Sequence, residues 1–277
     1  MAIKQYRPLT PGRRFATVDT MDDVTKKRPE KTLLLSKKRA SGRDSSGKIS
    51  VRHRGGGAKR AIRVVDVRAN RLNESARVTA IEYDPNRGAR LALVEYPDQE
   101  LRYILAPEGL TVGMSVTTSD SAGEIQVGNR YPLKLIPIGS TVCNVELKPG
   151  QGGILARAAG SSVQLMAIEN GYAQLRLPST EERLVTEDCF ATIGIMSNAQ
   201  FRHRVLGKAG RSRHLGHRPE VRGKAMNPVD PPHGGGEGKQ PIGLKFPKTK
   251  WGKHALGVKT RSPKKYSDRW ILHRRKK

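Results

Sequence analysis

The charge of this chain is concentrated at its two ends, and this limits how much of it can fold into a packed body. Residues 1–63 hold 18 Lys/Arg against 5 Asp/Glu, residues 64–200 hold 12 against 16, and residues 201–277 hold 22 against 4. A mildly acidic centre therefore lies between two cationic extensions, which carry all of the excess behind the net charge of +27. A charge of that size says little about fold, but it attracts polyanions and repels other cations. Only 36% of residues are hydrophobic and 5% aromatic, so the core must be confined to part of the chain.

The C-terminal block carries that argument furthest. Leu, Ile, Val and Phe supply 13 of its 77 residues, whereas Gly and Pro supply 18. Such a segment cannot bury enough apolar surface to offset the entropy of ordering its backbone. Alone it is expected to be disordered, becoming ordered against a partner that neutralises its charge, and the N-terminal arm is expected to behave likewise. A purely solvated tail is the plain alternative. Against it stand the glycine patterning and three isolated anchors, Met226, Trp251 and Trp270.

The centre reads as all-β. Segments 62–68, 77–83, 89–96 and 100–106 are short, rich in Val, Leu, Ile and Tyr, and separated by turn chemistry such as Asp84-Pro85-Asn86-Arg87-Gly88. Further segments follow at 141–147, 162–168, 172–177 and 189–196. Strands at this spacing, with no long helical period, favour small sandwiches or barrels. Two barrels fit better than one, joined near Gly128–Ile138. The expected organisation is a basic extension over 1–60, barrels over 61–127 and 128–200, and a basic Gly/Pro-rich extension over 201–277.

Cys143 and Cys189 lack CxxC spacing and are expected to be small buried apolar residues. No run approaches the roughly 18 apolar residues of a membrane span, and MAIKQYRPLTPGRR has no secretory apolar block. The expectation is a cytosolic protein without a membrane partner, organelle import remaining open.

Three segments are suited to phosphate or RNA. In the first, Arg52-His53-Arg54-Gly55-Gly56-Gly57-Ala58-Lys59-Arg60, glycines let backbone N–H groups face an anion while Arg52, Arg54, Lys59 and Arg60 supply charge. A flexible basic loop is the alternative. The absence of any GxxxxGK[ST] argues against a nucleotide P-loop. The second places Lys208, Arg211, Arg213, Arg218, Arg222 and Lys224 among glycines, which suits an extended chain threading between phosphates. The third, Met226-Asn227-Pro228-Val229-Asp230-Pro231-Pro232-His233-Gly234-Gly235-Gly236-Glu237-Gly238, offers Asp230, His233 and Glu237. A lone histidine in a glycine loop has no scaffold to hold it to catalytic tolerance. His214 and His217 lack the companion ligands of a zinc site. No GxSxG, HExxH or GxGxxG motif occurs, and no histidine lies between residues 64 and 200. The expectation is binding without catalysis, metal or cofactor. An RNA-modifying enzyme and a DNA-compacting protein are the rival classes.

Six blocks resemble, in order, the universal large-subunit ribosomal protein L-two family in its bacterial or organellar form. They are RHRGGGAKR at 52–60, IEYDPNRGARLAL at 81–93, RYILAPEGLTVG at 102–113, ELKPGQGGILARAAG at 146–160, LGKAGR at 206–211 and VRGKAMNPVDPPHGGGEG at 221–238. The resemblance implies an OB-fold barrel followed by an SH3-like barrel, with terminal extensions threading ribosomal RNA near the peptidyl-transferase region. It implies large-subunit RNA, neighbouring ribosomal proteins, the small subunit and tRNA as partners. Within its blocks it adds Arg87, Arg102, Lys148 and Arg157 to the expected RNA contacts, and with His53, Asn227, His233 and Lys239 these join the cations named above. Two positions depart from the family pattern: Ala58 and Pro231 each stand where histidine is usual. Pro231 carries no side-chain donor or acceptor and moves no proton, so the loop is expected to act through shape and RNA positioning.

Overall fold

A computed structural model describes residues 3–37, 41–237 and 241–275. The chain divides into two compact units. The larger comprises Met1–Lys38, Lys59–Ala209 and Arg269–Lys277, and the smaller Arg39–Ala58 and Gly210–Asp268.

The larger unit begins with two short antiparallel pairs: β1 (Ile3–Gln5) with β2 (Thr17–Asp19), and β3 (Leu34–Ser36) with β4 (Ala61–Arg63). The first body follows, built from β5 (Glu74–Glu82), β6 (Leu91–Glu95), β7 (Leu101–Leu105) and β8 (Ser115–Thr118), in the order β8-β5-β6-β7. The continuous apolar run of β6 reflects burial on both faces. Leu91 and Leu93 pack with Tyr103, Leu105, Cys143 and Met196 on one side, while Ala92 and Val94 pack with Val78, Tyr96 and Val116 on the other.

The second body contains β9 (Arg130–Pro132), β10 (Thr141–Cys143), β11 (Val145–Glu146), β12 (Gly153–Leu155), β13 (Val163–Glu169), β14 (Tyr172–Arg176), β15 (Glu182–Thr186) and β16 (Phe190–Ile193). Its core centres on Leu133, Val142, Val145, Leu165, Ala173, Leu175 and Ala191. The two bodies join in one 11-stranded sheet through a single parallel pair, Thr118 of β8 with Arg130 of β9. Part of the expected join, residues 128–138, is thus strand β9, and the irregular link lies between β8 and β9. The expected strand over 141–147 is broken at Asn144, whose φ of +49° interrupts extended pairing. Strand β8 and strand β15, with its run Glu182-Arg183, lack a clean apolar signal and were not among the expected segments.

Both cysteines are free and buried, as expected of small apolar residues. Burial pushes the Cys143 thiol up to about 12.

The ends are less independent than expected. Ala16 is fully buried, and Thr25 exchanges hydrogen bonds with Ile81 of β5. Arg90, only 1% exposed, pairs with Asp19 and Asp23 at 2.8 Å each. Burial pushes the Asp19 carboxyl up, but Arg90, the Met21 N–H and Asn198 together outweigh it and hold the group below its usual range. The first part of the N-terminal arm, residues 3–37, therefore belongs to the larger unit: its acidic residues neutralise a buried arginine, which a cationic average over 1–63 conceals. At the other end, β17 (Ile271–His273) pairs with β15, and Trp270 lies 5.5 Å from the ring of Tyr172. This strand covers an edge that would otherwise present unpaired backbone groups.

Candidate nucleic-acid interface

The smaller unit is built where the first and second basic motifs meet. Gly55 N donates to Gly216 O at 2.9 Å, Ala58 N to His214 O at 2.9 Å, and Arg218 N to His53 O at 3.1 Å. Side chains follow: Arg54 Nη1 lies 3.4 Å from His217 Nδ1, and His53 Nδ1 lies 4.0 Å from a Glu220 carboxylate oxygen. Two segments that sequence alone treats as separate arms thus form one ladder.

Glycine is required here for a physical reason. A Cβ on Gly57 would stand 2.8 Å from Gly216 N and 2.9 Å from His214 O, and both are backbone atoms that cannot swing aside. Gly55 and Gly56 take φ of +127° and +66°, a region that residues with a Cβ rarely adopt. The short helix Ala209–His214 carries Arg211 and Arg213 into this region. The site of a Cβ on Gly56 is 3.5 Å from Arg213 Nη2. Arg213 Nη1 is buried with no hydrogen-bond partner among the described residues. A guanidinium nitrogen without an acceptor favours gaining one, and a phosphate oxygen supplies it once the half-buried Arg213 side chain turns outward.

The remaining expected residues divide by environment. Arg52, Arg54, Arg218, Arg222 and Lys224 are exposed in the smaller unit. Lys59, Lys148, Arg157 and Lys208 are exposed in the larger unit, where half-buried Arg60 donates to Pro85 O at 2.9 Å. Arg87 is tied to fully buried Asp84 at 2.8 Å. Arg102 pairs with Asp66 and Glu100 at 2.8 Å each, donates to Asn70, and lies over the Tyr96 ring. These two arginines are therefore already engaged within the body. Lys148 sits on a loop clamped by Glu146, whose carboxylate accepts from Gly150 N, Gly152 N and Phe190 N and pairs with Arg130 at 2.9 Å. Lys239 lies outside the described residues.

In the third motif, Asn227 N donates to Asp230 Oδ2 at 3.2 Å, and Gly235 N donates to Met226 O at 2.8 Å, closing the loop. His233 Nε2 accepts from Lys248 N at 2.6 Å. The histidine is thus engaged in backbone positioning. Among the described residues no group of three His, Cys, Asp or Glu could hold a metal ion.

The family model described as "Ribosomal Proteins L2, RNA binding N-terminal domain" matches residues 30–118, and "Ribosomal Proteins L2, C-terminal domain" matches residues 126–252. The chain belongs to the ribosomal protein L2 family. The L2 assignment identifies a structural, RNA-binding component of the large ribosomal subunit. Its all-β architecture is the OB-fold followed by an SH3-like barrel that the sequence resemblance implied. The two models together contain both basic motifs and the Met226–Glu237 loop. One stretch inside the second match contributed no expected site residue: 241–252, with Lys245, Lys248 and Lys250 around an exposed Trp251.

Proposed function

We propose that the chain anchors large-subunit ribosomal RNA through the ladder of residues 53–58 with 214–218, and that the loop over 226–237 lies near the peptidyl-transferase region. The observation that carries this reading is the meeting of the two glycine-rich cationic motifs around a buried, unpaired Arg213 nitrogen. Arg52, Arg54, Arg211, Arg213, Arg218, Arg222 and Lys224 supply phosphate contacts from this unit. Lys59, Arg60, Lys148, Arg157 and Lys208 extend them along the barrels assigned to 61–127 and 128–200. Arg87 and Arg102 shape the surface that faces RNA, and Asn227 and Lys239 touch it directly. By ordering RNA helices, the protein supports subunit assembly, joining to the small subunit and tRNA binding on cytoplasmic ribosomes. Its part in peptide-bond formation is indirect, because Pro231 offers no proton-transfer group and His233 is engaged by Lys248 N.

Crosslinking in cells, followed by sequencing of the attached RNA, tests this reading. The expected result is large-subunit ribosomal RNA attached through peptides from 52–60 and 206–238. Crosslinks spread over messenger RNA or DNA, with none enriched on the ribosome, would overturn it.

A further inference from the structure

Residues 247–255 form a tight turn. Lys248 and His254 make an antiparallel bridge, Ala255 N donates to Pro247 O at 2.9 Å, Gly252 N to Thr249 O at 2.9 Å, and Thr249 N to Lys253 O at 2.6 Å. Thr249 Oγ1 accepts from Lys253 N at 3.2 Å and closes the tip. At the base, the rings of Phe246 and His254 pack in a tilted contact with centroids 4.5 Å apart. At the tip, Trp251 is 74% exposed, and Lys250 Nζ lies 4.4 Å from its ring centroid. An indole this exposed, on a braced turn and with a cation over one face, is available to a planar partner.

We propose that Trp251 is a base-stacking wedge: its free face receives an unpaired nucleobase of RNA, while the lysines around it hold the adjoining phosphates. This rests on the RNA-anchoring reading above and adds a class of contact that the cationic motifs cannot supply. The chemistry favours RNA over a protein partner. No acidic residue lies between Glu237 and Asp268, and residues 241–265 carry eight Lys/Arg. Such surroundings neutralise a polyanion, and an aromatic platform among cations is how single-stranded bases are held without sequence readout. Stacking on an aromatic face requires a base outside a duplex, so the target is a bulge, loop or flipped-out nucleotide.

His233 is the positioning residue for this wedge. Its Nε2 accepts from Lys248 N at 2.6 Å, which ties the turn to the closed loop over 226–237.

The test uses the full chain carrying Trp270→Phe, which retains a ring against Tyr172 and leaves Trp251 as the only indole. Its emission is followed during titration with a large-subunit ribosomal RNA transcript, a fully paired RNA duplex and heparin. Quenching by the transcript, but not by duplex or heparin, is expected. Trp251→Ala should weaken transcript binding roughly 5- to 150-fold, the range for losing one base–aromatic stack, with the salt slope unchanged. Trp251→Phe should retain more of the affinity. An unchanged thermal midpoint for Trp251→Ala separates lost stacking from lost folding. His233→Ala should abolish the quenching, and adding it to Trp251→Ala should cost little more.

If Trp251→Ala binds the transcript like the parent while Arg52→Ala and Arg218→Ala weaken it, the wedge is overturned and RNA anchoring stands. If the parent binds heparin as tightly as the transcript at equal salt, the anchoring reading itself fails. Quenching by another ribosomal protein, and not by RNA, would mean that Trp251 meets a protein and would also overturn the wedge. Full additivity of the two substitutions would remove His233 from the role.

Discussion

Arginine does opposite work in the two units. Arg130 in the larger unit is 4% exposed and faces Glu146 at 1%, while it also donates to Asn144 O at 2.9 Å. Burial pulls its pKa down, and the charge of Glu146 opposes that pull. Arg52, Arg218 and Arg222 in the smaller unit are exposed, and their side chains form no ion pair among the described residues. The body spends its carboxylates on buried guanidinium groups; the extension has almost none to spend. Removing an arginine is therefore a folding experiment in one place and a binding experiment in the other.

The sharpest way to break this comparison is Glu146→Gln. It leaves Arg130 charged and buried without its counter-ion and weakens the acceptor for Gly150 N and Gly152 N. Removing one partner of a buried pair typically costs about 3–5 kcal/mol, so the urea midpoint of the full chain should fall steeply. A loss under about 1 kcal/mol would mean that water reaches the pair, and the body would not differ in kind from the extension.

Acid provides a smaller test of the same distinction. Asp19 is held below its ordinary value of 3.8 by Arg90 against the push of burial. A group depressed on folding contributes stability that is present above its unfolded pKa and is lost as pH falls through the lower folded value. Stability should therefore be retained at pH 5 and fall below about pH 4, with Asp19→Asn showing a shallower acid decline. Identical acid profiles for the two proteins would mean that the N-terminal arm does not brace the body.

Much of the β centre was legible because its strands carry their own signal: a doubly buried run such as residues 91–94 of β6 must be apolar. Strand β15 was not, since Glu182 and Arg183 break its apolar signal, and the partners opposite Glu182, Arg176 of β14 and His273 of β17, appear only in the fold. The candidate interface was legible in parts and illegible as a whole. Residues 52–60 and 206–222 each announce phosphate chemistry, but nothing in either says that Gly57 must lie against Gly216. Such pairing depends on backbone approach across more than 150 residues, which local patterning does not encode. The braced arm fails for a different reason: a regional charge sum hides Asp19 and Asp23 among the cations that surround them.

The finest test compares two arginines that sequence alone ranks as equals. Arg218→Ala removes an exposed charge, and counterion release makes the salt dependence of RNA binding a count of such charges. The slope of log affinity against log salt should flatten by about 0.7–0.9, with the urea midpoint unmoved. Arg102 is held by Asp66, Glu100 and Asn70, so its charge is already balanced at the surface of the body. Arg102→Ala should leave the slope alone and lower the unfolding free energy by about 1 kcal/mol, the scale of a partly exposed pair. If Arg102→Ala flattened the slope as much as Arg218→Ala, its carboxylate partners would have to release it on binding RNA. The division between folding arginines and binding arginines would then hold only for the buried pairs at Arg90 and Arg130.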